Sequence, residues 1–130
     1  GDFGELGLSP VEYIHGSYGL EELIALYRAA DVMVVTPFRD GMNLVAKEYV
    51  ISRANGDGVL LLSEFTGSAQ ELRQALQVNP YDIDGVAANM ARALALPVGE
   101  QRARLRWLRQ RVRSNDVFQW ARAFLGALER

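Results

Sequence analysis

The sequence predicts an α/β protein: a doubly wound parallel sheet with helices on both faces, ending in two helices. Two short runs, Val32-Met33-Val34-Val35 and Val59 to Leu62, are apolar at every position, as strands covered on both faces are. Segments of helical period alternate with these runs through short loops, in the order β-α-β-α-β. The chain offers only about four strands, which resembles half of a dinucleotide-type fold.

Each element follows from local pattern. Gly1 to Pro10 is glycine-rich without a period and reads as a loop or a severed end; Val11 to His15 reads as a short strand. Leu20, Leu23, Ile24, Leu26 and Tyr27 recur at helical spacing with Glu21, Glu22 and Arg28 opposite, predicting a helix that ends near Ala30. A helix from Asn43 to about Arg53 follows the first apolar run, and Asn55-Gly56-Asp57-Gly58 breaks it. After Val59 to Leu62, Ser68-Ala69-Gln70-Glu71 has the spacing of a capping box and predicts a short helix to about Gln74.

Leu76-Gln77-Val78 is a further brief strand, stopped by Asn79-Pro80. Asp82 or Asp84 caps the next helix, whose inner face is Val86, Met90, Ala91 and Leu94 and which Pro97-Val98-Gly99 ends. Two helices, Glu100 to Arg113 and Asp116 to Leu128, close the chain. Residues 11–96 therefore hold the βα units and 100–128 the closing helices.

Composition removes several classes of chemistry. A length of 130 residues is that of one domain, and 49% hydrophobic with 23% charged residues is the balance of a water-soluble core-forming chain. With no cysteine and one histidine, His15, there is no disulfide, no thiolate nucleophile and no multi-histidine metal site, and no cofactor is called for. No apolar run approaches the roughly 20 residues of a membrane helix, and no signal pattern opens the chain, so a cytoplasmic location is expected. The net charge of -2 gives no reason to expect nucleic acid.

Charge is uneven, with ten acidic and four basic residues in 1–65 against six acidic and ten basic in 66–130. Arg102, Arg104, Arg106, Arg109, Arg111 and Arg113 supply most of the difference. They surround an apolar stripe of Leu105, Leu108 and Val112, with Trp107 beside it, and read as the solvated side of an amphipathic helix.

The chemistry concentrates at Thr36 to Val50. An apolar strand, the acidic-glycine turn Asp40-Gly41 and a helix start form a mouth where unpaired backbone N–H groups and the helix dipole favour an anion. In open α/β sheets ligands bind beyond the carboxyl ends of the strands, where this turn falls. Asp40 and Glu48 flank it, with Glu48 roughly 7.5 Å along the helix axis from Asn43. Carboxylates accept hydrogen bonds only, so they suit sugar hydroxyls on either side of a diphosphate. The residues alone also allow a plainer reading, in which Asp40 caps the helix, Gly41 turns the chain and Glu48 faces solvent. Lys47, the only lysine, reads as an outer-face residue, Arg39 as a loop brace and His15 as a loop anchor.

The run TPFRDGMNLVAKEYV, Thr36 to Val50, closely resembles the signature of trehalose-phosphate synthases, retaining glycosyltransferases of GT-B type with two Rossmann-like domains. Leu23 to Asp31, Leu62 to Leu72, Val78 to Asp82, and Asn115-Asp116-Val117 with Trp120 are similar to further segments of that family. The resemblance implies that residues 1–130 are part of the C-terminal nucleotide-sugar-binding domain. It implies that Asp40 is the catalytic residue, holding hydroxyls of the transferred glucose. Gly41, Met42, Asn43, Leu44 and Val45 would give backbone donors to diphosphate and sugar, and Glu48 would hold the ribose. Tyr18 and Leu23 would pack near the base.

UDP-glucose is the implied donor, related enzymes using guanosine or adenosine donors instead, and glucose 6-phosphate the implied acceptor, bound through a domain absent here. Gly1-Asp2-Phe3-Gly4 resembles the middle of a family loop, with Asp2 and Leu8 departing from its usual residues. The expectation is therefore a fragment that is inactive alone. The alternatives are a truncated nucleotide-binding module and a glucosylglycerol-phosphate synthase fragment. In the complete enzyme, the resemblance implies, the final helices, with Trp120, Phe124 and Leu125, would pack back across the domain junction.

Overall fold

The apolar runs become the sheet. In the computed structural model β1 (Val32–Val35), β2 (Val59–Ser63) and β3 (Leu76–Val78) pair in parallel in that order, with Val32 opposite Val59 and Leu61 opposite Leu76. The structure describes residues 10–14, 16, 18–39, 44–53, 56–114 and 118–129. The helices are α1 (Leu20–Ala29), α2 (Leu44–Ser52), α3 (Ile83–Ala95), α4 (Val98–Ser114) and α5 (Phe118–Leu128).

Strand β2 explains why the sheet needs two covers. Leu60 and Leu62 point into a core with residues of α1, α2, α4 and α5, whereas Val59 and Leu61 point into a smaller core with Ala93 of α3 and the adjoining Leu96. Each fully buried leucine contributes about 2 kcal/mol, so an alternating solvated face would forgo half of the strand's worth. Helices on both faces of a parallel sheet is the predicted architecture.

Four predicted details differ. Val11–Ile14 forms no strand, and Val11, Tyr13 and Ile14 are exposed, which leaves three strands among the described residues. So short a segment gains little by ordering unless a sheet edge pairs with it. His15 lies outside the described residues.

The expected helix after Ser68 is a series of turns. Leu72 N–H does reach Ser68 O at 2.9 Å, but Gln77 Nε2 donates to Ala69 O at 2.6 Å and Arg73 Nε to Gln70 O at 3.1 Å. Side chains thus occupy the carbonyls through which another helical turn would continue.

Helix α3 is rotated from its expected phase. It buries Ala93 and half-buries Val86 and Asn89, while Met90 and Ala91 are exposed and Leu94 is 74% exposed. Its phase is set at both ends. Asp82 is the cap, its Oδ1 accepting from Gly85 N–H at 3.0 Å, and Leu96 is buried against β2 and β3 just past the last turn.

Helix α4 starts at Val98, two residues earlier than expected, with Gln101 N–H on Pro97 O at 3.0 Å. Gln101 also ties this start to the sheet, its Oε1 accepting from Gly58 N–H at 3.0 Å and its Nε2 donating to Leu96 O at 2.8 Å. Leu105, Leu108 and Val112 are buried as expected, and Trp107 is exposed. Phe124 of α5 enters the larger core of this chain, while Leu125 remains exposed. Trp120's side chain, with Asn115 and Asp116, lies outside the described residues.

Candidate functional site

The site is built on α2, and α2 is an unusual helix. Ala46, Lys47, Tyr49, Val50, Ile51 and Ser52 are all buried, so it lacks the polar side of a surface helix. It lies between α1, α4 and the sheet, and it starts beyond the carboxyl end of β1, where an α/β ligand site is expected. Leu44 is its first residue, half-buried, and Val45 is exposed in the first turn. Asp40, Gly41, Met42 and Asn43 lie outside the described residues.

Glu48 is half-buried and accepts a hydrogen bond on Oε2 from the Tyr27 hydroxyl at 2.9 Å. This contact from α1 excludes the reading of Glu48 as a merely solvated side chain. Burial, and next the hydrogen bond and negative charge of Glu48, push the Tyr27 phenol well above the usual tyrosine range. Tyr27 packs edge-on against Tyr49, with ring centres 6.4 Å apart and planes at 83°. Tyr49 in turn donates to Ala30 O at 2.8 Å, and burial pushes its pKa up to about 12.

Lys47 corrects the sequence reading. It is 3% exposed, and its Nζ lies 3.0 Å from Glu71 Oε2 in the turn region after β2. A buried ammonium requires such a counter-charge, so Lys47 is an internal tie between the site helix and the next βα connection. Arg39 is exposed, and among the described residues it has no ion-pair partner that would make it a loop brace.

Of the two residues expected near a base, Tyr18 is exposed just before α1, while Leu23 is half-buried against the larger core. The structure also brings together residues that sequence reasoning missed. Phe38, Phe65 and Tyr81 follow β1, β2 and β3, are all exposed, and form one cluster, with Tyr81 4.7 Å from Phe38 and 5.8 Å from Phe65 between ring centres. The signal was available, since each aromatic falls two or three residues beyond a strand end on the same edge of a parallel sheet. Behind α2, Gly58 has φ +139°, and a Cβ there would lie 2.5 Å from the Tyr49 hydroxyl. The turn entering β2 thus requires glycine.

Among the described residues no group of three His, Cys, Asp or Glu side chains could hold a metal ion, and no helix is long and apolar enough to cross a membrane.

A parallel sheet covered on both faces, with a helix mouth at its carboxyl edge, defines a Rossmann-like α/β class. Within that class, the family model described as Glycosyltransferase family 20 matches residues 1–130, and the chain belongs to that family. It is 56% identical over 128 residues to a trehalose-6-phosphate synthase of Mycobacterium avium and 55% identical to that of Mycobacterium leprae, in each case across 98% of this chain. Among solved structures, an α,α-trehalose-phosphate synthase (UDP-forming) from Burkholderia xenovorans in complex with glucose-6-phosphate is 50% identical. It superimposes with a TM-score of 0.86 over 99% of this chain and 29% of its own. An E. coli structure described as bound with UDP-2-fluoro glucose is 42% identical, with a TM-score of 0.85 over 99% of this chain and 29% of its own. The fold is that of part of a GT-B type glycosyltransferase, and the chain spans about a quarter of the length of the curated relatives it matches.

Proposed function

We propose that this chain is the donor-binding part of an α,α-trehalose-phosphate synthase, within a C-terminal nucleotide-sugar domain. The complete enzyme transfers glucose from UDP-glucose to glucose 6-phosphate with retention, in the cytoplasm, giving trehalose 6-phosphate and UDP. The carrying observation is Glu48, a carboxylate held by Tyr27 at 2.9 Å in the second turn of the helix that opens at the carboxyl edge of β1. A hydroxyl acceptor one turn into a helix whose N-terminal end favours anions suits a ribose next to a diphosphate. The UDP-forming activity and the UDP-2-fluoro glucose ligand of the similar structures support the same donor.

In this reading Glu48 accepts from the ribose diol. Backbone N–H groups of Gly41, Met42, Asn43, Leu44 and Val45 take the diphosphate, and Asp40 holds glucose hydroxyls at the reacting end. Tyr18 and Leu23 border the base. Catalysis comes from orienting the sugar and stabilising the departing diphosphate, with no protein nucleophile. The acceptor binds through another part of the complete enzyme, so these 130 residues bind donor without turnover.

The test is a titration of UDP into the chain, with Glu48→Ala beside it. Saturable binding that weakens by about tenfold in the variant is expected, the worth of hydrogen bonds to a charged group. Absence of saturation, or equal affinity in the variant, refutes the donor site. Release of UDP from UDP-glucose and glucose 6-phosphate by the chain alone would refute its inactivity.

A further inference from the structure

The donor reading explains why a carboxylate sits on α2 but not why a buried phenol is aimed at it. Tyr27 is 4% exposed, and its ring is already held by the edge-on contact with Tyr49, whose hydroxyl is bound to Ala30 O. Phenylalanine would fill the same space. A buried hydroxyl adds nothing to such packing and costs desolvation unless it is paired. Its partner, 21 residues on, is the single acidic side chain of α2.

We infer that Tyr27 is a positioning residue for donor binding: its hydroxyl sets the rotation of the Glu48 carboxylate so that this group meets the ribose diol of a nucleoside diphosphate in one orientation. The inference rests on the donor-site reading above. A glutamate has three side-chain torsions, and ordering them before the ligand arrives removes that cost from binding. A carboxylate has about four lone-pair sites, of which the phenol takes one. The anchor is itself rigid, because α1 and α2 meet through both tyrosines in the larger core.

A hydroxyl that only pins α1 to α2 would weaken every ligand of the site alike, whereas one that aims Glu48 matters only to ligands with ribose hydroxyls. The experiment therefore measures dissociation constants of UDP and 2′,3′-dideoxyuridine 5′-diphosphate for the wild-type chain, Tyr27→Phe, Glu48→Gln and the double variant. Tyr27→Phe is expected to weaken UDP by about three- to tenfold and the dideoxy compound by less than about twofold, and to add little to Glu48→Gln. Equal loss for both ligands, or no loss of UDP affinity in Tyr27→Phe while Glu48→Gln loses it, overturns the positioning role and leaves the donor site standing. UDP affinity unchanged in Glu48→Gln overturns the donor site and the inference with it. Should Tyr27→Phe melt below the assay temperature, 13C-tyrosine spectra of the wild type decide. A Tyr27 shift on adding UDP and not the dideoxy compound supports the role, and the same shift with both refutes it.

Discussion

The two faces of the sheet are built to different depths. On one side α1, α2, α4 and α5 enclose a continuous core that takes in Tyr49, Phe124, Leu60 and Leu62; on the other α3 covers Val59, Leu61, Leu76 and Val78 with little more than Ala93 and Leu96. The deep face carries the candidate site. A helix buried on most sides cannot shift without disturbing its neighbours, and a binding carboxylate gains from that rigidity. Helix α3 has no chemical duty in the proposed site, and Ile83, Met90 and Leu94 are exposed along it.

This contrast can be broken most directly at Phe124. Phe124→Ala opens the deep core and is expected to cost about 3–5 kcal/mol, read as a lower midpoint in urea. A loss no greater than that of a surface substitution would mean that α5 does not close the core.

Alkali should act next, and on the deep face alone. A phenol whose pKa is raised on folding contributes stability that is complete below its unfolded value and lost as pH rises through its folded one. For Tyr49 that window runs from the ordinary 10.0 to about 12, and Tyr27 extends the loss further. Melting temperature should therefore fall as pH rises from 10.0 to about 12, and less steeply in Tyr49→Phe. An unchanged slope in the variant would remove Tyr49 as the cause.

The smallest effect is expected on the thin face. Leu94→Gln should change stability by less than about 0.5 kcal/mol, since the side chain is mostly in water. A loss of several times that would show that α3's outer side is covered in solution.

The same contrast explains what was legible in the sequence. Val59 to Leu62 announced a strand buried on both faces, and it is one; Val32 to Val34 announced a strand but are only half-buried, because β1 lies at the edge of the described three-stranded sheet. Met90 and Leu94 misled because hydrophobicity reports which side chains leave water well, not which side of a short helix meets the sheet. The run after Ser68 misled because Gln77, eight residues beyond Ala69, takes the carbonyl the helix needed. At the site, the pattern from Asp40 to Glu48 was visible as local spacing. The hydrogen bond from Tyr27 and the ion pair of Lys47 with Glu71 join different elements, and no local period encodes them.

Lys47 has a practical consequence. It is the only lysine in the chain, and it is buried on the site helix itself, paired with Glu71. A protease that cuts only after lysine therefore has a single target, which the folded chain withholds. Each cut would report an opening of α2, and protection by UDP would read ligand binding from a gel band.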